Sequence, residues 1–147
     1  MFAIFSYGLL FAAIGFGFWR GGGPERSVAS ILAAMFLLDR AGHLLLADRN
    51  AATFDHLHLT IDAAGFASLV AVSLKARRYW PLWASSCQLI SVFTHIGWTL
   101  ETKLPQAVYL VVDIVPSLLI SFALFQGTWM HRRRLTRRKI DQSWKDS

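Results

Sequence analysis

The chain has few charged residues and almost no cysteine for its length. Only 16% of its 147 residues are charged, whereas a soluble domain carries about a quarter. Cys87 is the only cysteine, which excludes an internal disulfide, a C-x-x-C redox pair and any cysteine-based metal or cluster site. Cys87 lies in an apolar run, and we interpret it as a small buried hydrophobe. The scarcity of charge argues against an ordinary soluble domain.

Long apolar stretches take the place of the missing charge. Each approaches the roughly 20 residues that a helix needs to cross the hydrocarbon core of a membrane, and short connectors separate them. The sequence therefore predicts an all-α integral membrane protein, with a five-helix transmembrane domain over residues 1–130 and a basic tail over residues 131–147. The predicted spans are Phe2–Trp19, Ser27–Ala47, Asp55–Leu74, Trp80–Leu100 and Gln106–Trp129.

The basic residues are distributed unevenly between the two sides of these spans. Twelve of the fifteen Lys and Arg residues fall on one side and two, Arg49 and Lys103, on the other, while Arg40 lies within a span. Because cytoplasmic loops carry the excess of Lys and Arg, the pattern predicts an outside N-terminus and a cytoplasmic C-terminus. Small size and compact loops favour the inner membrane of a bacterium.

The net charge of +6 bears on the partners of the chain. Most of the excess follows the last apolar stretch directly, which is typical of a topology determinant that binds anionic lipid headgroups and not of a nucleic-acid-binding surface. We expect membrane lipids, other membrane subunits or a second copy of the chain as partners, and no nucleic acid.

Ionisable residues inside the predicted spans are the candidates for function, because a charge at mid-bilayer costs roughly 3 kcal/mol or more. Spans two to five each carry a polar stripe at helical spacing, and the first span carries none. Counted from the outer ends, the histidines lie about 5–9 Å deep and the aspartates about 11–14 Å deep. We expect one cluster in the outer half of the bundle, with Arg40 as its counter-ion. Its members are His43, His58, His95, Asp39, Asp62, Asp113, Arg40, Gln88 and Tyr109.

This cluster has several interpretations. As a self-satisfied polar network, it fixes how the helices pack. As a ligand site, its residues His43, His58 and His95 bind a transition metal with Asp62, or bind a haem or a chlorophyll-type pigment. As a relay, it moves protons or ions, with serines lining the cytoplasmic half.

The chain has no sequence motif of an enzyme. It lacks a nucleophile elbow, a phosphate-binding loop and the H-E-x-x-H motif of zinc enzymes. Our working hypothesis is a non-catalytic accessory or assembly subunit of a larger membrane complex. Its first helix is expected at the periphery, and its polar cluster either stabilises packing or holds a cofactor.

Overall fold

The fold is a bundle of α-helices. The computed structural model describes residues 2–45, 51–100, 106–138 and 144, and places side chains for 5–45, 56–97, 111, 114–137 and 144. Within these residues the chain forms five helices. They are α1 (Phe2–Arg20), α2 (Gly23–Leu45), α3 (Ala51–Lys75), α4 (Trp80–Leu100) and α5 (Gln106–Arg138).

The helices start and end within about two residues of the predicted spans, with three exceptions. Helix α3 begins at Ala51 instead of Asp55. Helix α2 begins at Gly23 instead of Ser27. Pro24 suits its first turn, and the buried Glu25 accepts a hydrogen bond from the Gly22 amide through Oε2 at 3.1 Å. Helix α5 continues to Arg138 instead of ending at Trp129, because arginine is a good helix former. The first part of the predicted tail is therefore helical, and residues 139–143 and 145–147 lie outside the described part of the chain.

The prediction of an all-helical chain is confirmed, and its apolar helices are long enough to suit a membrane. Three helices in the described residues are long and apolar enough to cross a bilayer, over Gly23–Leu45, His56–Lys75 and Ile114–Arg137. Large apolar side chains also cover the outside of the bundle; Phe93, for example, is 62% exposed and Leu37 is 64% exposed. A soluble monomer rarely exposes so much apolar surface, and such a surface is suited to contact with lipid.

Each helix packs beside its neighbours in the chain, and α1 closes the ring by packing against α5. The expectation of a peripheral first helix is wrong. Ala13 on α1 is fully buried, and a Cβ on Gly17 would lie 3.2 Å from Ala29 Cβ on α2. The absence of charged residues from α1 suggested a peripheral position. The helix nevertheless packs into the bundle, because its small apolar residues allow close contact.

The apolar core lies between these helices, towards the end of the bundle where α1, α3 and α5 finish. Its centre contains the fully buried Val28, Leu69, Ala84 and Leu124. Residues that approach the other end of the bundle are more polar and less completely buried, and the candidate site lies there.

Candidate metal centre and its polar surroundings

Helices α2 and α3 place one carboxylate and two imidazoles in a compact group, Asp39, His43 and His58, which we call the triad. Asp39 and His43 share a face of α2 because they are four residues apart. His58 Nε2 lies 2.9 Å from Asp39 Oδ1 and 3.2 Å from His43 Nε2. His43 Nε2 lies 3.7 Å from Asp39 Oδ1. One donor atom from each residue thus lies within 4.8 Å of the other two.

Arg40 is the charged partner of the triad. Its Nε donates to Asp39 Oδ2 at 3.0 Å, so the arginine occupies one carboxylate oxygen and leaves Oδ1 directed towards the histidines. The Arg40 side chain is about half exposed, whereas Asp39 is 25% exposed. The guanidinium therefore lies at the rim of the site and the carboxylate lies inside it.

A second polar group, which we call the inner group, lies beside the triad and joins α3 to α4. Gln88 Nε2 donates to Asp62 Oδ1 at 2.9 Å, and His95 Nε2 lies 3.1 Å from Asp62 Oδ2. Gln88 and His95 are both buried. The two oxygens of Asp62 are thus used by two different side chains of α4, which fixes the relative position of these helices.

The sequence-predicted ligands are divided between the two groups. His43 and His58 meet in the triad, together with Asp39, which we had assigned to the supporting network. His95 lies next to them, with its ring centroid 5.8 Å from that of His58, but its Nε2 contacts Asp62. The side chains of the predicted network members Tyr109 and Asp113 lie outside the described residues.

Two glycines let α2 and α3 approach closely enough to form the triad. A Cβ added to Gly42 would collide with Leu57 Cδ2 on α3, and a Cβ added to Gly65 would collide with the Met35 side chain on α2. Gly42 and Leu57 directly precede the triad histidines in the chain. Our sequence reasoning missed both glycines, because glycine is common in membrane helices and its spacing alone does not indicate close packing.

A cavity of about 280 Å³ opens beside the triad and the inner group. It is lined by the triad, by Asp62 and His95 of the inner group, and by Arg40, Ile61 and Tyr7. Tyr7 is not among the residues predicted from the sequence, because the first span carries no polar stripe; the position of Tyr7 near the outer end of α1 is the signal that could have identified it. A second cavity of about 350 Å³ extends into the middle of the bundle and shares Tyr7, Asp39, Ile61 and Asp62 with the first.

The geometry of the triad suits a small ion better than a macrocycle. Haem ligation by two histidines requires their nitrogens on opposite faces of the ring, whereas the two Nε2 atoms here lie 3.2 Å apart. The triad also forms a hydrogen-bonded network without any ion. However, His58 Nε2 carries at most one hydrogen, which it can donate fully to Asp39 or to His43 but not to both. Hydrogen bonding alone therefore does not satisfy all three donor atoms at once.

The serines that a proton pathway would need are all engaged with their own helices. The hydroxyl of each of the six serines that could line the cytoplasmic half donates to a backbone carbonyl three or four residues earlier. The surrounding core is apolar. This arrangement favours a site that is closed towards that end of the bundle. The six are Ser30, Ser68, Ser73, Ser85, Ser86 and Ser121.

Comparisons of the chain with protein-family models, with characterised proteins and with solved structures give no significant match in any of the three. We therefore infer the function from the geometry of the two polar groups and of the surfaces around them.

Proposed function

We propose that this protein binds a divalent transition-metal ion between α2 and α3, and that it acts in the membrane as a non-catalytic accessory subunit of a larger complex. The observation that carries the metal proposal is the convergence of three donor atoms, from Asp39, His43 and His58, within 4.8 Å of one another. Two imidazole nitrogens and one carboxylate oxygen form a donor set that suits zinc and its first-row neighbours.

The separations within the triad support this proposal. Around a tetrahedral ion with bonds of about 2.0–2.1 Å, neighbouring ligand atoms lie about 3.4 Å apart. The three separations in the triad are 2.9, 3.2 and 3.7 Å. A small adjustment of side-chain torsions would make them equal. His43 is 40% exposed and His58 is 26% exposed, so the triad is open to the outside of the bundle and leaves room for a further ligand.

The proposal is tested by titrating the metal-free full-length protein in detergent with Co²⁺, whose visible absorption reports nitrogen and oxygen ligation. We expect one ion per chain, displaced by Zn²⁺. His43→Gln, His58→Gln and Asp39→Asn should each weaken binding by roughly 100-fold or more, since loss of a residue that only supports a ligand already costs 10–100-fold.

Two control variants make this experiment specific. His56→Gln changes an exposed histidine two residues before His58 and should leave binding unchanged. His95→Gln should weaken binding much less than loss of a triad residue, because His95 Nε2 is held by Asp62. If wild-type protein binds no stoichiometric metal, or His56→Gln is as damaging as His58→Gln, the proposed metal site is wrong.

The accessory role has support of a different kind. The connectors α1–α2 and α3–α4 span only a few residues, and the described part of the chain holds no domain outside the bundle. Gentle solubilisation of the native membrane, followed by size separation, tests this role. Migration with larger membrane subunits is expected, with the metal retained. Migration as a chain of 16.5 kDa plus detergent alone would contradict it.

The full topology remains part of the proposal. We propose that all five helices span the inner membrane of a bacterium, with the triad near the outer face. Attachment of a membrane-impermeant maleimide to single cysteines, in a Cys87→Ser background, should label residue 49 from outside and residue 77 only after the membrane is opened. The reverse labelling pattern would contradict this orientation.

A further inference from the structure

The basic end of the bundle contains a cavity that the metal proposal does not involve. It lies between the ends of α1 and α5 and has a volume of about 580 Å³. Four arginines and two tryptophans surround it, and none of its lining residues is acidic. These residues, together with the remaining lining residues, are Arg20, Arg132, Arg133, Arg137, Trp19, Trp129, Phe16 and Thr136.

Two of the four arginines, Arg20 and Arg133, lie over tryptophan rings of the same cavity. Arg20 Cζ lies 4.0 Å from the ring centroid of Trp19, and Arg133 Cζ lies 5.3 Å from that of Trp129. Stacking of this kind keeps a guanidinium oriented while its N–H groups remain available. Arginine presents these N–H groups in a planar fork that matches phosphate oxygens.

The position of the cavity along the helices indicates which phosphate compound it suits. Its lining includes the apolar ring of Phe16, which packs against Phe125 with centroids 5.0 Å apart. The flanking surface remains apolar, since Phe18 and Phe122 are 44% and 57% exposed. Tryptophans such as Trp129 are enriched where a bilayer meets water. A ligand at this level thus meets arginines at its charged end and apolar side chains along the rest of its length.

From this arrangement we infer that the cavity between α1 and α5 binds the phosphodiester headgroup of an anionic phospholipid, with the acyl chains lying along the apolar surface of these helices. Basic pockets between membrane helices bind such headgroups in this way. A free phosphate ion would use the arginines but gain nothing from Phe16 or from the exposed aromatic surface.

The test is native mass spectrometry of the full-length protein in a neutral detergent, with phosphatidylglycerol, phosphatidylcholine or inorganic phosphate added at equal concentration. We expect one phosphatidylglycerol per chain, at least tenfold more occupied than phosphatidylcholine. The double variant Arg20→Gln/Arg133→Gln should weaken phosphatidylglycerol binding by roughly 10–30-fold.

A matched control removes the same charge elsewhere. Arg26→Gln/Lys75→Gln changes two exposed basic residues at the same end of the bundle, on α2 and α3 and outside the cavity, and should retain wild-type binding. Circular dichroism is used to check that both double variants remain helical. Equal occupancy by the two lipids, equal loss in the two double variants, or displacement of the lipid by inorganic phosphate would overturn the inference.

Discussion

Replacement of Gly42 by valine tests whether the close approach of α2 and α3 creates the metal site. Gly42 is buried, and even a single added carbon would meet Leu57 Cδ2. A β-branched side chain cannot turn away from this contact, because its rotamer is fixed in a helix. Either Leu57 must change its rotamer in the packed interface, or the helices must move apart by roughly an ångström to restore ordinary van der Waals contact.

The size of the effect follows from linkage between packing and binding. Overpacking a well-packed contact costs about 1–3 kcal/mol, and separation of the helices relieves this cost. A metal ion must then draw His43 and His58 back to their separation of 3.2 Å and restore the strain. The same free energy is subtracted from binding, so Gly42→Val should weaken Co²⁺ affinity about 5–150-fold although every ligand is intact.

The assay is the Co²⁺ titration, combined with helicity and thermal unfolding of the metal-free protein. A second substitution provides the control: Gly42→Val/Leu57→Ala removes the side chain that the valine displaces and should recover most of the lost affinity. Wild-type affinity in the single variant, or no recovery in the double variant, would refute the argument that helix spacing limits binding at this site.

Four further variants test the polar groups and the packing of the bundle. Gln88→Ala removes the donor to Asp62 Oδ1 and should lower the free energy of unfolding by about 1–3 kcal/mol, measured by chemical denaturation; a loss below about 0.5 kcal/mol would contradict this. Leu124→Ala, at a fully buried position, should cost about 2–5 kcal/mol, whereas Leu119→Ala, at a 47% exposed position, should cost under about 1 kcal/mol; equal losses would disprove the assigned packing. Arg40→Gln removes a positive charge next to the triad and should tighten Co²⁺ binding about threefold to tenfold, and weaker binding would show that the arginine supports the site.

The sequence predicted the helices well because each is a long apolar stretch bounded by glycine, proline or charged residues. It also predicted that histidines of different helices would lie near aspartates, since depth in a membrane can be counted along a helix. It could not predict which donor atoms converge. That depends on helix rotation and spacing, which Gly42 and Gly65 control through contacts with residues on another helix. His95 was therefore placed with the wrong immediate neighbours, and Asp39 was assigned a supporting position.

The end of α5 was also beyond what apolar patterning can show. The apolar pattern of the sequence ends at Trp129, whereas the helix itself continues to Arg138. The helix continues past Trp129 because the arginines there have a favourable helix propensity and are surrounded by water. The cavity at the basic end could not be located for the same reason, because one of its walls is this continued helix.

With the bundle embedded as proposed, the length of α5 would determine how the protein responds to the thickness of its membrane. A helix of 33 residues is about 50 Å long, well beyond a hydrocarbon core of about 30 Å. Its arginine-rich end cannot enter that core, so the helix cannot slide to reduce a mismatch. A thinner bilayer must be met by tilting. Because α5 packs against both α1 and α4, these helices would tilt together with it. A change in bilayer thickness would then change the spacing between the helices of the bundle.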